Sequence, residues 1–176
     1  MFSLCEINRL LKAIFEKESS KLRMAIKAVF VINNHGKPRL VRFYERFNVS
    51  KQHQLMNEIF RAASKRTEDM CNFIEGFHKW PSKDTRVIYR HYATLYFIVV
   101  VDGSESELAI LDLVQVFVEI LDKCFENVCE LDLVFHTEKV HSILNEIIMG
   151  GVVQETNKDE VIRAVEDQWR QITGKK

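Results

Sequence analysis

Two nearly continuous apolar runs limit what this chain can fold into. Residues 25–32 read AIKAVFVI and residues 93–101 read ATLYFIVVV. A strand with one wet face alternates apolar and polar residues, whereas a strand covered on both faces is free to be apolar throughout. Both runs are rich in β-branched and aromatic residues, which favours strand over helix. Both fall far short of the ~20 residues needed to cross a bilayer as a helix. They are expected as buried strands, with 93–101, the more hydrophobic, at the centre of the sheet.

The flanking segments supply the other elements. Asn33-Asn34-His35-Gly36 has the chemistry of a tight turn, and Leu40 to Tyr44 resumes as the paired strand of a hairpin. Between Ser50 and Lys65, Leu55, Met56, Ile59, Phe60 and Ala63 form one helical face. Residues 71–76 and 86–91 read as two more strands, separated by a loop over 77–85. Ser104-Glu105-Ser106-Glu107 has the pattern of a capping box and opens a helix to about Phe125. A helix over 133–149 is expected to end on Gly150-Gly151 as a left-handed cap, and a last helix runs from Asn157 to Ile172. The order ββαβββααα predicts an α+β domain with helices against an antiparallel sheet, not a Rossmann-like one. Three segments result: an extension over 1–23, a domain over 24–156, and a C-terminal helix and tail over 157–176. In the extension, Leu4, Ile7, Leu11, Ile14 and Phe15 recur at helical spacing, while Glu6, Glu16 and Glu18 argue against a mitochondrial presequence. Met24 stands where a compact domain could begin, so the extension is either a functional helix or the product of an alternative start.

The helix over 104–125 has too little polar surface for a helix lying on a sheet with its back in water. Asp112, Gln115, Glu119 and Asp122 fall on one narrow stripe, and nearly everything else is apolar. An apolar arc a little over ~100° wide suffices for one-sided packing, so this helix is expected to be covered from several directions. The 133–149 helix or a partner protein could supply that cover.

Charge and motifs exclude several function classes. Lys+Arg and Asp+Glu are both 25, for a formal net charge of zero, so no long-range field attracts nucleic acid or acidic lipid. Cys5, Cys71, Cys124 and Cys129 contain no Cys-x-x-Cys pair and read as thiols of a reducing compartment. No Gly-rich phosphate loop, nucleophile elbow or His-Glu-x-x-His helix occurs, so neither an enzyme nor a cofactor is indicated. The six histidines are scattered, and His136 and His141 are off the spacing that puts two ligands on one helical face, so no metal site is expected. Arg86, Arg90 and His91 lie among Tyr89, Tyr92 and Tyr96. In a neutral protein this cluster reads as a sheet edge or a subunit contact before a nucleic-acid surface.

Four strings carry a resemblance: NNHGKPRL at 33–40, IYRHYATLYF at 88–97, SESELAILDL at 104–113 and FVEILDKCFENVCELDLVFH at 117–136. Together they resemble the sigma (small) subunits of clathrin-associated adaptor complexes over about Met24 to Thr156. The 33–40 turn and the SESEL helix start are more similar to the third adaptor complex than to the first or second. The resemblance implies a longin-like fold, five antiparallel strands packed by helices in a single domain. It implies a heterotetramer with delta-type and beta-type large adaptins and a mu subunit. It also implies peripheral, cytoplasmic attachment to Golgi, endosomal and vesicle membranes, on a route toward lysosome or vacuole. Its ligands would be cytosolic tails of membrane cargo bearing an acidic residue four positions before Leu-Leu or Leu-Ile. Carried over from that family, the dileucine pocket would be Ala93, Leu95, Val118, Asn127, Val128 and Leu133, and the acidic-residue site Arg39. The 1–23 extension and the loop holding Trp80 fall outside the resemblance.

Such a site binds weakly. Burying two leucine side chains contributes roughly 3–6 kcal/mol and an exposed Arg–carboxylate contact roughly 0–1 kcal/mol, before the cost of ordering the peptide. Several weak contacts at one membrane then add through effective concentration. The competing readings are a purely structural subunit, a longin domain of a tethering or SNARE-type protein, and a small enzyme. A SNARE would need a heptad helix and an anchor where only about 20 residues follow Thr156.

Overall fold

The computed structural model describes residues 26–66, 70–75, 77, 79–82 and 84–173; the helix expected over 1–23 lies outside them. The two apolar runs are β1 (Ile26–Asn33) and β5 (Leu95–Asp102). They pair antiparallel in the middle of a five-stranded sheet. With β2 (Pro38–Phe43), β3 (Phe73–Ile74) and β4 (Thr85–Tyr92), the order is β2-β1-β5-β4-β3, antiparallel throughout. The longest run is the central strand, as its hydrophobicity requires. Every residue of β1 is buried, including Lys27, whose ammonium donates to Thr85 Oγ1 at 2.8 Å.

The sheet separates two cores. On one face α1 (Val49–Ser64) lays Leu55, Met56, Ile59 and Ala63 against Ala28, Phe30, Ile32, Ile98 and Val100. Asn48 caps this helix, its side chain accepting from the Lys51 N–H at 2.8 Å. Trp80, from the loop to which no role was given, completes that core. It is 2% exposed, stacks on Phe43, meets Phe47 edge-on and donates from Nε1 to Glu45 at 2.9 Å.

On the other face lie α2 (Glu107–Phe125), α3 (Glu130–Phe135), α4 (Thr137–Ile147) and α5 (Lys158–Thr173). The cap of α2 is Ser106, which accepts from the Ala109 N–H, while Ser104 bonds Asp102 instead; the helix starts two residues later than the Ser104 box implies. Its wide apolar surface meets β4 and β5 beneath it and both α4 and α5 beside it. The C-terminal helix therefore supplies cover that the sequence did not assign to it, burying Val161 and Val165 in the same core.

The helix expected over 133–149 is two helices broken at His136, followed by a hairpin of β6 (Ile148–Met149) and β7 (Val152–Val153). Gly150 and Gly151, at φ 59° and 82°, form its two-residue turn and not a helix cap. Two consecutive left-handed residues are what a type I′ hairpin turn demands.

Candidate functional site

At one end of the sheet the β4–β5 turn, the C-terminal end of α2 and the start of α3 converge. Ala93 in that turn takes φ 51°, and Glu126 and Asn127 after α2 take 53° and 77°. This pair of left-handed residues ends α2 and turns the chain back, with the Asn127 N–H donating to the Asp122 carbonyl at 3.3 Å and the Val128 N–H to the Asp122 carboxylate at 3.1 Å. α3 then begins with the Cys129 N–H donating to Asp132 at 2.8 Å. That bond holds the Asp132 carboxyl below its usual range.

The three elements enclose a cavity of about 370 Å³, within the ~300–1,000 Å³ span typical of ligand pockets. Leu95, Phe97 and Leu133 are its buried floor; Val118 and Val128 are half-buried walls; Ala93 is exposed at the edge. Thr94, Asp122 and Glu130 supply polar rim. Five of the six expected pocket residues, Ala93, Leu95, Val118, Val128 and Leu133, thus line one open cavity. Asn127 precedes Val128 in the turn and is exposed, outside the lining.

Arg39 reaches this rim from β2 through Glu130. Its Nε and Nη2 donate to Glu130 Oε1 at 2.8 and 2.7 Å. Asn33 Nδ2 donates to the same oxygen at 3.0 Å, and Thr94 Oγ1 donates to Oε2 at 3.2 Å. The Arg39 guanidinium first, then the Asn33 amide, hold the Glu130 carboxyl below the usual range. Asn33 is itself fixed, its Oδ1 accepting from the His35 and Lys37 N–H groups at 3.0 and 2.8 Å. The turn motif of the sequence is therefore also a support of the cavity rim. Glu130 was missed because it lies 91 residues from Arg39 and reads alone as a solvated charge.

The basic and aromatic cluster is engaged within the chain. Arg86 pairs with Glu107 at 3.4 Å, His91 stacks on Tyr96, and Arg90 and the Tyr92 hydroxyl both donate to Gln115 Oε1, at 3.1 and 2.5 Å. Among the described residues no group of three or more His, Cys, Asp or Glu is placed to hold a metal, and no helix is long and apolar enough to cross a membrane. The cavity offers apolar contact and charge recognition.

Residues 25–171 match the family model described as clathrin adaptor complex small chain. The chain is 60% identical over 145 residues to AP-3 complex subunit sigma-2 of Homo sapiens, covering 82% of this chain and 75% of that one. It is 62% identical over 134 residues to AP-3 complex subunit sigma of Dictyostelium discoideum, covering 75% and 78%. A chain in a homology model of the full-length AP-3 complex in a stretched open conformation superposes with a TM-score of 0.65 at 39% identity, covering 85% of this chain and 97% of that one. The five-stranded antiparallel sheet with flanking helices is the longin-like fold expected of such chains. The chain therefore belongs to the clathrin adaptor complex small chain family, a non-enzymatic family, and is similar within it to the AP-3 sigma subunits.

Proposed function

We propose that this chain is the sigma subunit of the third adaptor complex and that its cavity receives the aliphatic pair of acidic dileucine signals. The observation that carries the reading is the convergence of Ala93, Leu95, Val118, Val128 and Leu133 on one open apolar cavity with Arg39 bound at its rim. Branched apolar walls suit two leucine side chains, and a guanidinium suits the carboxylate upstream of them. In the assembled complex a delta-type large subunit completes the site, with beta-type and mu subunits beside it. The cargo are cytosolic tails on Golgi and endosomal membranes bound for lysosome or vacuole, and attachment to those membranes is peripheral.

Surface chemistry supports assembly with companions. Leu108 and Phe135 are 69% and 73% exposed, and a second apolar groove of about 350 Å³ runs along α2 beside Leu113, Val116 and Val153. An open apolar groove along a helix offers a partner protein a place to pack.

The test is peptide binding by a copurified delta–sigma pair, using a peptide with Glu four positions before Leu-Leu. Val118→Asp, which puts a charge in the cavity wall, is expected to lower affinity more than tenfold. Arg39→Ser is expected to reduce the preference for the acidic residue. Unchanged affinity in both variants assigns the chain a purely structural role.

A further inference from the structure

The rim of the cavity already holds a carboxylate where an acidic signal residue would be read. Arg39 has five N–H donors and gives two of them, at Nε and Nη2, to Glu130. Glu130 is not a side chain resting there by chance. Donors from the end of β1, from β2 and from the β4–β5 turn all converge on its two oxygens, and its Asn33 donor is 5% exposed. The fixed pair carries no net charge. An incoming carboxylate meets the guanidinium edge that Glu130 leaves free, and meets Glu130 as a like charge.

Resting on the dileucine reading above, we propose that Glu130 determines how strongly the cavity discriminates for an acidic residue. Its carboxylate orients Arg39 and offsets the charge of Arg39. The preference for an acidic residue that Arg39 supplies is therefore weakened, not removed. Glu130 is thus a specificity-determining residue of the site.

The test compares two peptides, one with Glu and one with Gln four positions before Leu-Leu, on the delta–sigma pair carrying wild-type chain or Glu130→Gln. Glutamine keeps an oxygen that accepts from Arg39 and Asn33 and removes the charge, while its NH2 takes the place of Oε2, where the Thr94 hydroxyl can accept instead of donate. The acid-to-amide affinity ratio is expected to rise about three- to ten-fold, the effect of deleting one like charge near a partly screened pair. A ratio that stays constant or falls overturns the assignment. Thr94→Lys, at an exposed turn position, provides a second variant should Glu130→Gln fail to assemble. Its ammonium beside Glu130 is expected to raise the ratio as well, and an unaltered ratio there counts equally against the proposal. Loss of binding on changing Leu-Leu to Ala-Ala is measured first on the wild-type pair. If that change has no effect, the dileucine reading itself is overturned; if it abolishes binding and the ratio stays fixed, only the role of Glu130 is.

Discussion

Lys158 on α5 donates to Glu119 on α2 at 2.5 Å, and Glu119 accepts in turn from Gln115 at 2.8 Å, which the Tyr92 hydroxyl bonds from β4. The C-terminal helix is thus joined to the sheet through a polar line across α2. The Lys158 contact is the main cause of the lowered Glu119 pKa, and Glu119 of the raised Lys158 pKa. Both groups are exposed enough for water to screen the pair. The packing beneath it carries the energy. Deleting residues 157–176 removes Val161 and Val165 from the core and is expected to cost roughly 3–6 kcal/mol, at ~1.5–3 kcal/mol per buried side chain. Lys158→Ala is expected to leave the urea midpoint nearly unchanged, and a midpoint shift as large as that of the deletion contradicts this division.

Trp80 anchors a loop to the α1 core. Trp80→Ala is expected to destabilise by about 3–5 kcal/mol. Trp80→Phe keeps a ring against Phe43 and Phe47 but leaves Glu45 without its indole donor, and is expected to cost less, about 1–3 kcal/mol. Denaturant titration of the two variants checks both the order and the size.

Gly36 and Gly150 both adopt left-handed backbone, at φ 79° and 59°, but their surroundings differ. A Cβ on Gly36 would sit 3.0 Å from Phe60 Cε1, whereas one on Gly150 meets nothing within 4 Å. Alanine at either position is expected to cost about 1–2 kcal/mol in backbone strain, and Gly36→Ala more in total because the Phe60 ring must also move. Thermal denaturation giving equal shifts would contradict this.

His141 on α4 is partly buried beside Arg42, and both burial, the larger cause, and that neighbouring charge push its pKa below the ordinary 6.5. The folded state then resists a proton that the unfolded chain accepts. Stability is expected to be full above 6.5, to fall as pH drops below it, and to level off only beneath the folded-state pKa. Replacing His141 with Leu is expected to flatten that limb in a series of urea midpoints against pH.

The sheet was legible because its two central strands are apolar almost throughout, and only layers on both faces permit that. The hairpin at 148–153 was not, since Gly150-Gly151 serves a helix cap and a type I′ turn equally well and strands of two residues carry no period. Trp80 lies in FHKWPSKDT, whose polar neighbours mask its burial. Leu95 and Leu133 were legible as core, but nothing local distinguishes a core leucine from one at a cavity floor; that placement came from resemblance to relatives. The register of Glu130 against Arg39 depends on tertiary structure and left no trace in spacing.

Leu95 and Leu133 belong at once to the cavity floor and to the core shared by α2, α4 and α5. Any substitution that reshapes the floor therefore also alters how much intact protein a cell keeps. A mutational scan of these two positions that recorded ligand affinity and abundance together would find the two traits inherited jointly, with altered taste for ligand never arising free of altered lifetime.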